Sequence, residues 1–264
     1  MTQQNTQPPF DMMRLIPMVI LWLGIISLSI YLIKKKKLSK IWNIVLLSVS
    51  FLVGGVILAA IPSPLFPIQS IFSSIGLQKP LSQILPFFII LLILLGISLL
   101  FGRIFCGFAC PLGAVQELIS KINFKCNLKQ QKEKKTLSLR NNISRWIRLS
   151  FFLIFGMAGI IWGSAVMQYM NPFIGFQIFR NPIFPMIIIP AILLGIILIL
   201  SIFIYRPWCR LMCPYGLLAS LMSRKSLKKL TRNDNCVECG LCEKICPTQE
   251  AEASANKSEC YFCN

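Results

Sequence analysis

Eleven cysteines and no histidine mean that any metal chemistry in this chain must run through sulfur. The densest motif is Cys236-x2-Cys239-x2-Cys242-x3-Cys246-Pro247. Three thiolates at this spacing wrap one corner of an iron–sulfur cube, and the fourth, followed by proline, commonly ligates a neighbouring cluster. A zinc knuckle would want two C-x2-C pairs with a longer gap between them. A [4Fe–4S] cluster is therefore expected here. A second run opens at Cys260-x2-Cys263, one residue before the sequence stops at Asn264. It reads as a two-cluster head broken off in mid-motif. The other reading is that Cys260 or Cys263 completes the first cluster.

Two further motifs repeat each other at an offset of 103 residues. They are Arg103-x2-Cys106-x3-Cys110-Pro111-x-Gly113 and Arg206-x2-Cys209-x3-Cys213-Pro214-x-Gly216. Pro111 and Pro214 suit the first turn of a following helix, where a missing N–H leaves no bond unmade. A helix N-terminus lowers a thiol's pKa, and Arg103 and Arg206 add positive charge. Cys106, Cys110, Cys209 and Cys213 are accordingly expected to be thiolates, drawn towards one shared metal or cluster site. A pair of reversible disulfides and a set of structural thiols remain as alternatives. Cys126 belongs to no motif. The lack of histidine removes the usual haem b ligand, the c-type haem attachment motif and histidine-based triads, so no haem is expected.

These motifs need a scaffold, and the composition points to a membrane. Hydrophobic residues make up 55% of the chain, against about 45–50% in soluble domains. Apolar spans lie at about 15–33, 41–61, 84–105, 147–168 and 184–205, each long enough to cross a bilayer as a helix. The first is read as a retained helix, because Lys34–Lys37 follows it where a cleavage site would stand. The net charge of +18 does not signal nucleic acid, because the basic residues flank the spans. Five Lys follow the first span and nine basic residues lie between Gly102 and Trp146, while only Arg14, Lys79 and Arg180 fall on the other side. The positive-inside rule then puts the N-terminus outside and the C-terminus in the cytoplasm.

The expected fold is an all-α polytopic membrane protein with about five transmembrane helices. An N-terminal helix and basic loop occupy 1–40. A membrane domain with two C-x3-C-P repeats occupies 41–222. A basic linker and small ferredoxin-like head occupy 223–264. Both halves of the membrane domain run in the same direction, so an axis along the membrane normal should relate them. The outer connections echo each other as Pro64-x4-Gln69 and Pro172-x4-Gln177 and are expected to be loops.

The order of spans, two C-x3-C-P motifs and ferredoxin runs resembles the NapH-type membrane ferredoxins and their MauN-like relatives, over residues from about 41 onwards. Asn171-Pro172 after the fourth span also resembles that family. The resemblance implies electron transfer in the bacterial inner membrane, between the quinone pool and membrane or periplasmic redox partners, with one or two [4Fe–4S] clusters in the head. Related proteins with these motifs also serve maturation, assembly or redox sensing, which is the alternative function. Glu117 stands two helical turns after Cys110, on the same face, and is the candidate to take a proton from quinol. The competing reading pairs it with a nearby Lys.

Overall fold

The computed structural model describes residues 23–32, 35, 39–58, 63–123, 141–163, 168–179, 185–227, 236–237, 239–240, 242–243, 246–252, 255 and 257–261. Among these residues the chain is helical and holds no strand. The first helices are α1 (Leu23–Leu32) and α2 (Lys40–Val49). Ser39 caps α2, its hydroxyl accepting from Trp42 N–H at 3.4 Å. The helix then widens over Ser50–Ile57, where Leu58 N–H reaches back five residues to Val53 O at 2.9 Å. Next come α3 (Leu65–Gly76), α4 (Leu81–Phe101), α5 (Pro111–Asn123), α6 (Asn141–Trp162), the single turn α7 (Pro172–Gly175), α8 (Pro185–Phe203) and α9 (Pro214–Ser223).

Three of these helices are long and apolar enough to cross a membrane: Leu81–Phe101, Ile143–Trp162 and Met186–Phe203. Their mean hydropathies are 3.0, 1.4 and 3.0, yet most of their residues are not covered by protein. Exposed Ile, Leu and Phe on such helices call for a lipid solvent rather than water. The spans expected at 15–33 and 41–61 are described only as Leu23–Leu32 and Ile41–Ile57. The remainder of each falls largely outside the described residues.

The outer connections correct the sequence reading, because they are helical rather than open loops. Pro64 stands immediately before α3 and Pro172 opens α7. Asn171 caps α7, its Oδ1 accepting from Phe173 N–H at 3.0 Å. Its amide donates to Gln69 Oε1 at 3.4 Å, which ties the two connections together. Both segments are apolar enough to be buried, and buried backbone needs its own hydrogen bonds, which a helical turn supplies.

α3 packs against α4 and α6, with Phe72 edge-on to Phe152 at 5.8 Å between ring centres. α5 packs against α2 and α8, and α9 against α4 and α6. The core runs from Leu65, Ile68 and Phe173 down to the four cysteines of the repeated motifs, with Trp208, Tyr215 and Tyr261 around them. Tyr215 anchors α9 to α4, because its hydroxyl meets Ser98 Oγ at 3.0 Å and donates to Leu94 O at 3.1 Å. Tyr215→Phe should therefore lower stability by about 1 kcal/mol, the worth of one buried hydrogen bond. Thermal unfolding in detergent measures this, and an unchanged midpoint would remove the anchor.

Candidate metal centre

A residue at positive φ lies between each long helix and the wide turn of its motif. Gly102 follows α4 at φ +69°, and Arg206 follows α8 at φ +48°. The chain then makes one wide turn, Phe105–Ala109 in the first motif and Trp208–Met212 in the second. Each turn closes five residues back: Cys110 N–H to Phe105 O at 3.0 Å, and Cys213 N–H to Trp208 O at 2.9 Å. α5 and α9 begin at Pro111 and Pro214, as their residue types required. Cys213 is the N-cap of α9, and its sulfur accepts from Gly216 N–H at 3.3 Å. Cys110 receives the same bond from Gly113. The glycines have a steric cause. A Cβ at Gly216 would lie 2.9 Å from Cys209 O, and one at Gly113 would press still closer on Cys106 O.

All four cysteines are buried, none more than 6% exposed. Burial pushes Cys106 up to about 12, although Arg103 pulls the other way. Cys110, Cys209 and Cys213 are likewise raised, chiefly by burial. Lost hydration of the charged sulfur outweighs the helix terminus and the arginines. The thiols also act on one another: Cys209, Cys106 and Cys213 each raise Cys110 further. The four therefore share one electrostatic neighbourhood. Among the described residues, no three Cys, Asp or Glu stand close enough to grip a single metal ion. An iron–sulfur cube holds its thiolates wider apart than one ion does, and it keeps bound thiols deprotonated.

Arginines surround the cysteines. Arg103, Arg148, Arg206 and Arg210 are each at most 1% exposed. The first and second motifs exchange them. Arg206 donates to Cys106 O at 2.6 Å and Gly107 O at 3.2 Å in the first motif. Arg103 donates to Gly216 O at 2.9 Å in the second. Arg148, from α6, donates to Cys209 O and Gly216 O, both at 3.3 Å. Arg210 reaches Pro247 O at 3.3 Å and Asn141 Oδ1 at 3.0 Å.

Two buried carboxylates answer this charge. Glu117 accepts from Arg206 Nε at 3.0 Å, with Lys121 at 4.0 Å. Its main partner is thus an arginine from the other motif, not only the expected lysine. Glu259 bridges Arg103 at 2.9 Å and Arg148 at 2.6 Å. Burial alone would raise the Glu259 carboxyl, but the two guanidiniums outweigh it and hold it below the ordinary range. The ring of Tyr261 lies between Arg103 at 4.9 Å and Arg206 at 4.7 Å, and its hydroxyl accepts from Arg103. Around the thiols, Arg103, Arg148 and Arg206 outnumber Glu117 and Glu259, which leaves a positive excess. Among the described residues, Arg103 Nε, Arg148 Nε and Trp208 Nε1 in this shell find no acceptor.

The ferredoxin run behaves differently. Cys236, Cys239 and Cys242 are exposed, Cys246 and Cys260 half-buried, and Cys263 lies outside the described residues. Sequence reading missed Arg148, Arg210, Glu259 and Tyr261. Arg148 carried a signal, since a charge within an apolar span must face a partner. Glu259 and Tyr261, buried inside an acidic segment, carried none.

The glycine contacts give a ranked prediction. Gly113→Ala should cost about 1–3 kcal/mol, and Gly216→Ala less, because both add a methyl group against a backbone carbonyl. Thermal unfolding in detergent would contradict this by showing the reverse order.

A family described as a 4Fe-4S binding domain matches the chain twice, over residues 83–129 and 186–233. Each match contains one C-x3-C-P motif, and neither reaches Cys236. The protein MJ0750 of Methanocaldococcus jannaschii is 30% identical over 178 residues, 66% of this chain and 71% of that protein. The methylamine utilization ferredoxin-type protein MauN of Paracoccus denitrificans is 31% identical over 60% of this chain and 53% of its own. The ferredoxin-type protein NapH of Haemophilus influenzae is 24% identical over 59% of this chain and 51% of its own. The chain thus spans about half the length of the MauN and NapH proteins it matches. No solved structure matches it. Apolar helices, buried cysteine motifs and these relatives together make this an iron–sulfur electron-transfer protein of the membrane, and the chain belongs to the NapH/MauN-type ferredoxin family.

Proposed function

We propose that this chain passes electrons between the quinol pool and a partner reductase, through one [4Fe–4S] cluster held by Cys106, Cys110, Cys209 and Cys213. The observation that carries the reading is the buried arginine shell with its positive excess. Four thiolates around a cube make a net anion, and a site with three guanidiniums against two carboxylates suits an anion. A pair of disulfides is neutral and would leave that excess unanswered. When bound, the cluster supplies a one-electron store. The unpartnered N–H groups of Arg103, Arg148 and Trp208 fit the sulfur acceptors such a group brings. Burial of all four cysteines excludes water from them.

Glu117 is the group to receive the quinol proton. Its Oε2 is held by Arg206, and its Oε1 faces Lys121 at 4.0 Å. Each quinol releases two electrons and two protons, so a proton acceptor beside a one-electron centre fits that chemistry. The remaining elements complete the proposal. The chain crosses the bacterial inner membrane five times, with its N-terminus outside and C-terminus in the cytoplasm, and its halves are related along the membrane normal. Residues 233–264 form a ferredoxin-type head in which Cys236, Cys239, Cys242 and Cys246 hold a further cluster. Cys260 and Cys263 open its second run. The partners are the quinone pool and membrane or periplasmic redox subunits.

The test is quinol oxidation by membranes carrying the full chain and an electron acceptor. Cys106→Ser and Cys209→Ser should each abolish it, since both would break the same centre. Glu117→Gln should slow it by about a hundredfold, the low end for loss of a general base. A normal rate in Cys106→Ser or Cys209→Ser would overturn the shared site. A normal rate in Glu117→Gln would remove Glu117 from proton transfer.

A further inference from the structure

In the register of the repeated motif, Arg103 corresponds to Arg206, and Glu117, the carboxylate that meets Arg206, corresponds to Ser220. The membrane part therefore lacks the second acid its own repeat calls for. Glu259 supplies it, from the far end of the sequence. The segment around Glu259 is unusually buried for a stretch without helix: Ser258 is 1% exposed, and Glu259 and Tyr261 are 2%. It is pinned at several points. Ser223 Oγ donates to Ser258 O at 2.9 Å. Lys257 Nζ donates to Glu250 O at 2.7 Å and Glu252 O at 2.6 Å. Glu259 joins Arg103 to Arg148, and the Tyr261 ring sits between Arg103 and Arg206. The Tyr261 carbonyl lies so close to Gly107 that a Cβ there would be 2.7 Å from it. Gly107 follows Cys106, and Cys260 sits between Glu259 and Tyr261.

We infer that Ser258–Tyr261 is a strap that seats Cys260, the first cysteine of the second run, on the first C-x3-C-P turn. Glu259 and Tyr261 are positioning residues that fix the separation of the two iron–sulfur loci. The inference rests on the cluster reading above for its redox meaning, but not for its geometry. Two loci held by one strap exchange single electrons without any bond forming or breaking. The rate depends on their separation, which the buried contacts of Glu259 and Tyr261 with Arg103, Arg148 and Arg206, and one backbone contact, hold fixed. An exposed linker would leave that separation to fluctuate.

The experiment uses the full chain, purified anaerobically in detergent, with three readouts on each sample. These are amide hydrogen exchange over 257–261, spin–spin coupling in the reduced EPR spectrum, and iron content. Glu259→Gln attacks the strap from its own side, and Gly107→Ala attacks it from the membrane side without touching an ion pair. Glu252→Gln, on an exposed side chain, is the control. Both test variants should speed exchange over 257–261 by at least about tenfold, as expected when a buried charge loses its partner or a close contact is wedged open. They should also weaken the spin coupling at unchanged iron content. If Glu259→Gln does not fold, Gly107→Ala decides the matter. Exchange and coupling that match the control in Gly107→Ala would overturn the strap. If Cys106→Ser keeps its full iron content, the cluster reading fails, and the exchange rates still decide the strap.

Discussion

A guanidinium shut away from water must find its hydrogen bonds inside the protein, and this structure is organised around that demand. Arg103 and Arg206 each leave their own motif and bond to carbonyls of the other. The exchange locks the two cysteine turns face to face. Removing the carboxylate of a buried ion pair such as Arg206–Glu117 typically costs about 3–5 kcal/mol, because the remaining charge is stranded. The wide turns follow from the same demand, since they bring the Cys106 and Cys209 carbonyls to the arginines. Gly113 and Gly216 follow in turn, because only a residue without a side chain lets those carbonyls lie so close to the next helix.

The two halves are alike in motif but not in charge. α5 carries Glu117 where α9 carries Ser220. Arg206 thus pairs within the membrane part, while Arg103 depends on Glu259. One side of the centre is closed by a helix that also carries Lys121, the other by the C-terminal segment.

Much of this was legible in the sequence, for physical reasons that differ by element. Long apolar runs marked α4, α6 and α8, because a bilayer admits few alternatives to a helix. Pro111 and Pro214 fixed the starts of α5 and α9 to the residue. Cys106, Cys110, Cys209 and Cys213, which the C-x3-C-P repeat singled out, are all buried. The outer connections were misread as loops, because Pro64 and Pro172 look like turn residues yet stand at helix starts. Helix position is local and visible in sequence, whereas burial is a property of the whole fold. Glu259 was invisible for the same reason. It is one of six acids after Asn233, and only tertiary contact singles it out.

The central claim is that the four C-x3-C-P cysteines hold iron on their own, apart from the ferredoxin run. The direct test is to replace Cys236, Cys239, Cys242, Cys246, Cys260 and Cys263 with serine in one chain. Iron and Mössbauer signals are then measured on the anaerobically purified protein. Retention of about four iron atoms per chain, with the signature of a [4Fe–4S] centre, is the expected result. A chain that folds but binds no iron would contradict it.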